Sequence, residues 1–465
     1  MTVADALIPE RPGGRNVADA FGHPRGLAYL VFAEAWERFS YYGMQALLVL
    51  YLGEQLLLPG HVEHVAGFAV FRETIFRFTG PLTAPALASV IFGLYAGLVY
   101  VTPLIGGFVA DRWLGRTWTV AAGAMLMAIG HFLMAFEASF VVAILCLIVG
   151  VGGFKGNLST QVGELYAPGD HRRGHAFQIF FLGINLGALF SPIVCGTLGE
   201  RIGWHWGFGA AGVGMLIGLG VYLSGRRWLP SERPRKAHRS TPAAQKLTRA
   251  EWLRVALLIG LVPVLAAAQI GNSQGFNAYL VWSKASYDLN LFGHAMPVTW
   301  LLTFGSLVGM TLITASLLFW RWWARRRPEP DDIGKIALGG VGMTAATLIL
   351  AYAAHLTQGG HRISLGWGVA FELVNAVGYA NFVPITYSLF AAAAPPQLRG
   401  VMVAICLLQF FVGNMLAGAL GTQLGPLGGV NFWLIHSAVA AIASVVLMVV
   451  WLALGRFLAS PHTPP

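Results

Sequence analysis

Charged residues are scarce in this chain: 11% of its 465 residues are Asp, Glu, Lys or Arg, against 56% that are apolar. A soluble domain of average composition carries about a quarter charged residues. Soluble enzymes, nucleic-acid binders and disordered scaffolds are therefore excluded together. Cysteine is nearly absent as well. The three present, Cys146, Cys195 and Cys406, lie far apart without a CxxC pair, which leaves packing rather than disulfides or metal thiolates as their role. No H-E-x-x-H occurs and no Asp falls within a long apolar run, so an enzyme or a metal centre at membrane depth is not expected, nor is any cofactor. A channel is unsupported, since no repeated pore-filter segment appears.

What remains is apolar surface, with a mean hydropathy of +0.65, and at ~20 residues per span the length allows about twelve membrane helices. The apolar runs place these near 27–51, 86–108, 118–136, 139–165, 176–199, 207–224, 252–272, 297–320, 333–355, 365–391, 400–422 and 432–456. With the N-terminus inside, and with Arg254, Lys335 and Arg456 at inner span ends counted as cytoplasmic, 23 of the 30 Lys and Arg are cytoplasmic, 5 outside and 2 within spans. The net charge of +10 is then an orientation signal and an anionic-lipid contact, not a nucleic-acid footprint. An even span number puts both termini in the cytoplasm. The expected layout is a tail over 1–25, six spans over 26–224, a basic Pro-containing linker over 225–251, six more spans over 252–457 and a tail over 458–465. Six plus six about a basic linker is the layout of two pseudo-symmetric bundles rocking about a midplane site. The loop from Gly53 to about Ala84 is unusually long and suggests a short amphipathic or re-entrant piece.

The informative residues are ionisable groups that cannot reach water from a helix end. Span 1 carries Glu34, Glu37 and Arg38 near its middle and span 4 carries Lys155; on insertion scales the four cost roughly 10 kcal/mol before compensation. Glu34, Glu37 and Arg38 sit at i, i+3 and i+4 and share one face. Tyr41 and Tyr42 extend that stripe. The two acids and two bases sum to zero charge, so a proton landing on a carboxylate releases a base to hold something else. Glu372 in span 10 has no intramembrane base in its own half to pair with; it is either protonated, wetted by a central cavity, or close enough to the outer surface to be solvated.

These residues have a pattern. Glu34-Ala-Trp-Glu37-Arg38-Phe39-Ser40-Tyr41-Tyr42-Gly43 resembles the ExxERFxYYG motif of the proton-coupled oligopeptide transporter family, a branch of the major facilitator superfamily. Gly106-Gly107-Phe-Val-Ala-Asp111-Arg112-Trp-Leu-Gly115-Arg116 resembles the superfamily's cytoplasmic loop signature. Gly152-Gly-Phe-Lys155-Gly-Asn157 and Phe180-Phe181-Leu-Gly183-Ile-Asn185 are similar to the family's spans 4 and 5, and Leu398-Arg399-Gly400-Val-Met to its span 11. The likeness is close over about 25–228 and diffuse after it.

The resemblance implies an all-α membrane protein of twelve helices in the major facilitator fold. It implies a plasma (inner) membrane symporter that imports di- or tripeptides or peptide-like solutes with protons, by alternating access. Its partners would be that substrate, protons and lipid, in a monomer; a carrier of another carboxylate-bearing solute, or an uncoupled facilitator, stays open. Glu34, Glu37 and Lys155 would couple protons. Arg38 and Lys155 would hold the substrate carboxyl end, while Tyr41, Tyr42, Tyr100 and Asn185 line the site. Asp111 and Arg112 would brace the cytoplasmic gate. The second half departs from the family: Ala268 stands in the place of an acid beside Gln269, the span 8 Asn-Pro is missing around Gly305, and Tyr379 stands where an acid meets the peptide ammonium. Glu372, two turns outward on the same face, is the candidate to replace it. The anionic end of a ligand is thus better specified than an amine.

Overall fold

In hydrocarbon every backbone N–H and C=O must be satisfied within the chain, so long apolar runs become helices. The computed structural model describes residues 19–20, 22–167, 169–230, 247–291 and 293–458; most of the expected tails (1–18, 21 and 459–465) and the middle of the linker, 231–246, lie outside the described residues. Ten helices are long and apolar enough to cross a membrane. They are α2 (Ala84–Leu114), α4 (Glu137–Glu164), α5 (Arg172–Arg201), α6 (Trp204–Ser224), α7 (Arg249–Ala268), α8 (Trp300–Ala324), α9 (Asp332–Leu356), α10 (Gly366–Ala393), α11 (Pro396–Gly421) and α12 (Leu424–Leu458). Two more complete a set of twelve. One is α1 (Arg25–Tyr51), which carries the charged stripe, and the other is α3 (Arg116–Leu133), 18 residues long.

α1 packs against α5 and α6, and α3 against α4. In the second half α9 lies against α10 and α12, and α8 against α10. Glycine sets the close approaches. A Cβ at Gly218 of α6 would stand 3.1 Å from the Cβ of Trp36 on α1, so the small residues four apart on α6, Ala210, Gly214 and Gly218, let α1 lie flat on it. The halves join through α2 on α11 and α5 on α8, and a Cβ at Gly93 would come within 2.7 Å of the Gly418 backbone. The outward surface is apolar: Ile442, Val445, Val449 and Leu452 of α12, at i, i+3, i+7 and i+10, are all more than half exposed, as lipid-facing positions are.

The start of α1 meets the end of α6, where the Arg25 guanidinium lies 5.2 Å from the Trp228 ring. The start of α7 meets the end of α12, where Arg254 Nε donates to the Phe457 carbonyl at 3.0 Å. The face carrying these ends is called the terminal face, and its opposite the far face.

Two spans differ from the straight helices expected. α2 is interrupted between Leu98 and Thr102, ahead of Pro103. α7 contains Pro263 and stops at Gln269, and after a turn at Ile270–Ser273 the chain resumes as helix Ala278–Ser286 toward the far face. Where a span ending near 272 and then a loop was expected, the helix is broken and continued. The cause is local: Gly271 and Gly275 leave the backbone unconstrained, and Asn277 takes the non-helical pair φ −120°, ψ −113°. The long loop between α1 and α2 holds a helix, Phe68–Thr79. It is pinned to the start of α4, where Ala66 N–H donates to the Ala138 carbonyl at 2.9 Å and His61 Nδ1 lies 2.9 Å from Glu137.

Candidate functional site

α1 presents its charges inward, and Glu34, Glu37 and Arg38 are each at most 3% exposed. Arg38 holds both acids: its Nε lies 3.3 Å from Glu34 Oε1, and its Nε and a terminal nitrogen donate to the two oxygens of Glu37. The other oxygen, Glu34 Oε2, is buried with no hydrogen-bond partner. A glycine opposite makes this arrangement possible. At Gly187 of α5 a Cβ would stand 2.7 Å from Arg38 Cβ, so a larger residue there would displace the arginine.

Lys155 arrives from α4, half-buried, with its Nζ 4.2 Å from the Tyr100 ring centroid and 5.8 Å from that of Tyr41. Among the described residues no carboxylate forms an ion pair with it, although Glu34, Glu37 and Arg38 are its charged neighbours. The expected pairing of lysine with the α1 acids is thus filled by Arg38, and the lysine rests on aromatic faces. Arg38 also lies over the Tyr41 ring at 4.7 Å and the Tyr42 ring at 5.9 Å. The two bases thus share one aromatic shelf.

That shelf faces the second half. Tyr42 stacks on Phe276 with centroids 5.9 Å apart, and Tyr100 on Phe410 at 5.1 Å. Tyr379 reaches the same cleft, where Tyr42 and Tyr100 are its phenolic neighbours. Asn185 on α5 is half-buried and spends its amide on the Phe181 carbonyl at 2.7 Å. Glu372 is 8% exposed, which excludes the reading in which it is solvated at the outer surface. It sits in the far half of the second bundle. Asp111 and Arg112 are exposed and remote from the cleft, at the terminal end of α2; Asp111 pairs with Arg116 at 3.2 Å, Arg116 also bonds Glu164, and the Arg112 guanidinium packs over Phe108 at 5.6 Å.

The sequence reading missed the closure of the far face. Lys284 Nζ contacts both oxygens of Glu54, at 2.6 and 2.8 Å. Glu200 accepts the amides of Val298 and Thr299 at 3.1 Å each, plus the Thr299 hydroxyl at 2.7 Å. Asn277 donates to Ser89 Oγ at 2.7 Å, and Ser89 to the Gly418 carbonyl at 3.2 Å. Among the described residues, no hydrogen bond or ion pair joins the halves at the terminal face. The one signal for this lay in the run Gln269-Ile-Gly-Asn-Ser-Gln-Gly-Phe-Asn277, polar and glycine-rich inside an apolar stretch, which marks a discontinuous helix. The same run spells G-x-S-x-G from Gly271 to Gly275, but in a helix break rather than the strand-to-helix elbow that exposes a nucleophile.

Twelve helices in two bundles, closed at one face around a buried set of compensating charges, define a multi-pass membrane transport protein. The comparisons agree. The chain belongs to the POT family, whose sequence pattern matches residues 117–292. It is 33% identical to the uncharacterized transporter YclF of Bacillus subtilis (strain 168), over 86% of this chain and 73% of that one. It is 28% identical to the peptide transporter YePEPT of Yersinia enterocolitica subsp. palearctica serotype O:3 (strain YE-P4), over 88% and 89%. Among solved structures it is similar to a peptide transporter POT in complex with sulfate, with a TM-score of 0.80 and 25% identity over 96% of this chain and 98% of that one. A mutant of that transporter in complex with alafosfalin gives 0.77 and 26% over 95% and 97%.

Proposed function

We infer that this protein is a proton-driven symporter importing small peptides or peptide-like solutes that bear a carboxylate, across the plasma (inner) membrane with both termini cytoplasmic. The observation that carries the reading is Arg38 held between Glu34 and Glu37, with Lys155 on the same aromatic shelf. Charge arithmetic does the rest. The four groups sum to zero, one proton alone makes the site +1, and a substrate carboxylate alone makes it −1. Either unbalanced state is costly in low dielectric. Proton and carboxylate together restore zero, so the cycle favours carrying both or neither.

The steps follow from the contacts. A proton taken up by Glu34 or Glu37 weakens that acid's hold on Arg38, and the guanidinium turns to the substrate carboxyl beside the Lys155 ammonium. Tyr41, Tyr42, Tyr100, Tyr379 and Asn185 flank the ligand. Asp111 stiffens the terminal end of the first bundle through Arg116, and Arg112 does so by its contact with Phe108. The far face is joined and, among the described residues, no hydrogen bond or ion pair joins the halves at the terminal face, which supports reading this state as open toward the cytoplasm. Peptide carriers among the relatives, the one from Yersinia included, support the substrate class.

Purified protein in liposomes tests this with radiolabelled dialanine. Uptake is expected to rise with an inward proton gradient and to collapse with a protonophore, and Lys155→Ala is expected to abolish accumulation. Full gradient-driven uptake by that variant, or indifference of the wild type to the gradient, would overturn the reading.

A further inference from the structure

The far half of the second bundle holds a second polar chamber, outside the cleft just described. Helix Ala278–Ser286 and the residue that follows it place Tyr279, Ser283 and Tyr287 four apart, on one stripe. Tyr279, Ser283 and Tyr287 are fully buried; the Tyr279 hydroxyl reaches toward Ser283, Tyr287 and the Glu372 carboxyl, but none of the three hydroxyls makes a well-formed hydrogen bond. Facing them from α10 is Glu372, whose carboxyl is an electrostatic neighbour of both phenols. Glycines clear the space: a Cβ at Gly305 of α8 would stand 2.6 Å from Glu372 Oε2, and one at Gly368 of α10 would meet Tyr287 at 3.2 Å and Tyr279 Oη at 3.5 Å. The Tyr279 ring is fixed against Phe371 with centroids 4.8 Å apart.

No cationic side chain compensates the acid. The titratable groups facing it are the phenols of Tyr279 and Tyr287; α8 contributes Gly305, and among the described residues no Lys, Arg, His or second carboxylate interacts with it. Buried hydroxyls without a well-formed hydrogen bond are rare in folded proteins, and a cluster of three calls for an explanation. A neutral carboxylic acid supplies one, since its O–H donates to a phenol oxygen while its carbonyl oxygen accepts from another hydroxyl. A carboxylate would bring an uncompensated charge into the same dry space, which only water could relieve.

The position of this chamber gives it a consequence. The helix that carries the hydroxyls also carries the far-face closure, with Lys284 bonded to Glu54 and Asn277, just before it, bonded to Ser89. We propose that Glu372, with Tyr279, Ser283 and Tyr287, is a second proton-binding site of the transport cycle, and that loss of its proton drives the outer segment of α7 away and opens the far face. The neutral acid closes; the carboxylate, seeking water, opens. This rests on the symport reading for its place in a cycle, but the test below needs no substrate.

Spin labels at Leu58 and Leu291, both exposed and on opposite halves of the far face, report the opening by electron–electron distance in a Cys146→Ala background. The wild type is expected to lengthen as pH rises. Glu372→Gln, shaped like the neutral acid, is expected to stay short at every pH, and Tyr287→Phe to move the midpoint down by roughly half to one unit, the worth of one lost hydrogen bond. A Glu372→Gln curve that superimposes on the wild type overturns the proposal, as does a wild type that ignores pH. So does a distance that follows sodium at fixed pH, which would make the chamber a metal-cation site. Finally, the variant keeping the wild-type curve while losing affinity for dialanine but not for N-acetyl-dialanine would make Glu372 an amine ligand instead. Failure of the symport reading shows separately, as absent proton-driven uptake in the wild type.

Discussion

On the symport reading Arg38 is the residue on which coupling turns, because among the described residues it alone forms ion pairs with both acids of α1. Breaking a buried ion pair by removing one partner costs about 3–5 kcal/mol, whereas an isosteric neutral partner costs less. The two acids are not equivalent. Glu37 takes two bonds from the guanidinium and is fully buried, while Glu34 takes one and keeps Oε2 unpartnered. Glu34→Gln is therefore expected to leave dialanine exchange intact and to weaken only its proton-driven accumulation. Glu37→Gln, by freeing the arginine, is expected to depress both at least tenfold. Counterflow and gradient-driven uptake, measured on the same vesicles, separate the two. Equal behaviour of the two variants in both assays would mean that the arginine does not distinguish its partners.

The sequence disclosed this cluster because charge at membrane depth is expensive and therefore conspicuous. Lys155 was legible for the same reason, though its resting place was not. Periodicity could put it on a helix face, but only packing shows that Arg38 has already taken the carboxylates and left the lysine to two rings. Glu372 stood out by the same logic, while the three hydroxyls around it did not, since Tyr and Ser are ordinary residues in a membrane helix.

At the scale of elements, the break in α7 separates a fixed part from a gate. The fixed part starts with a capping box: Thr248 Oγ1 accepts from Glu251 N at 3.2 Å, and Glu251 Oε2 accepts from Thr248 N at 2.8 Å. Past the break, Gln274 Nε2 donates to the Ala417 carbonyl at 3.0 Å and lies 2.9 Å from His436 Nε2. Two kinds of bond then close the far face, and magnitude ranks them. The Glu54–Lys284 pair is more than a third exposed on both sides, so it contributes about 0–1 kcal/mol and is screened by salt. Asn277 is fully buried, and its loss leaves Ser89 short of a partner at a cost of about 1–3 kcal/mol. Asn277→Ala is expected to raise the open population by roughly 5- to 150-fold, and Lys284→Ala by no more than about 5-fold, less in 1 M salt. The Leu58–Leu291 label distance reads both. A larger effect from the lysine would reverse the ranking.

The long loop between α1 and α2 is tied down by a titratable contact in the 3-10 turn Glu137–Ser139, which precedes the apolar body of α4. Partial burial pushes the Glu137 carboxyl up, but hydrogen bonds from Gln55 and His61, and the nearby charge of His61 and His64, outweigh it and hold the group below the usual carboxylate range. A carboxylate depressed in the folded state stabilises above its unfolded pKa, and that contribution is lost as pH falls through the folded value. Amide protection over residues 53–66 is thus expected to be flat from neutral pH down to about 4.3, to fall below it, and to be low throughout in Glu137→Gln. Hydrogen exchange with mass spectrometry checks this; protection falling already near pH 6 would assign the contact to another group.

At the scale of the whole molecule, the two bundles meet where side chains are small. The family motifs cluster in the first bundle because its site is built from charges at fixed spacing, which sequence displays. The closure is built from Ser, Asn, Thr, Glu, Lys and backbone groups paired across long separations, 188 residues between Ser89 and Asn277. Such pairs leave no local periodicity, so the working state of the transporter was not readable from the chain. Glycine was the partial exception, since a stripe of small residues announces a close helix contact without saying which helix answers. At Gly93 the answer is Gly418, and the two meet in this structure, whose far face is shut. Gly93→Val would drive a side chain into the α11 backbone, 2.7 Å from where its Cβ would stand, and backbone cannot give way as a side-chain tip does. This variant is expected to be caught open at the far face: its label distance should be long at every pH, and vesicle uptake should be lost while dialanine still binds from that side. Gly309→Ala, whose Cβ meets nothing within 4 Å, is the control and should transport normally. A Gly93→Val protein that still accumulates dialanine would show that the halves close along some other line than the α2–α11 contact.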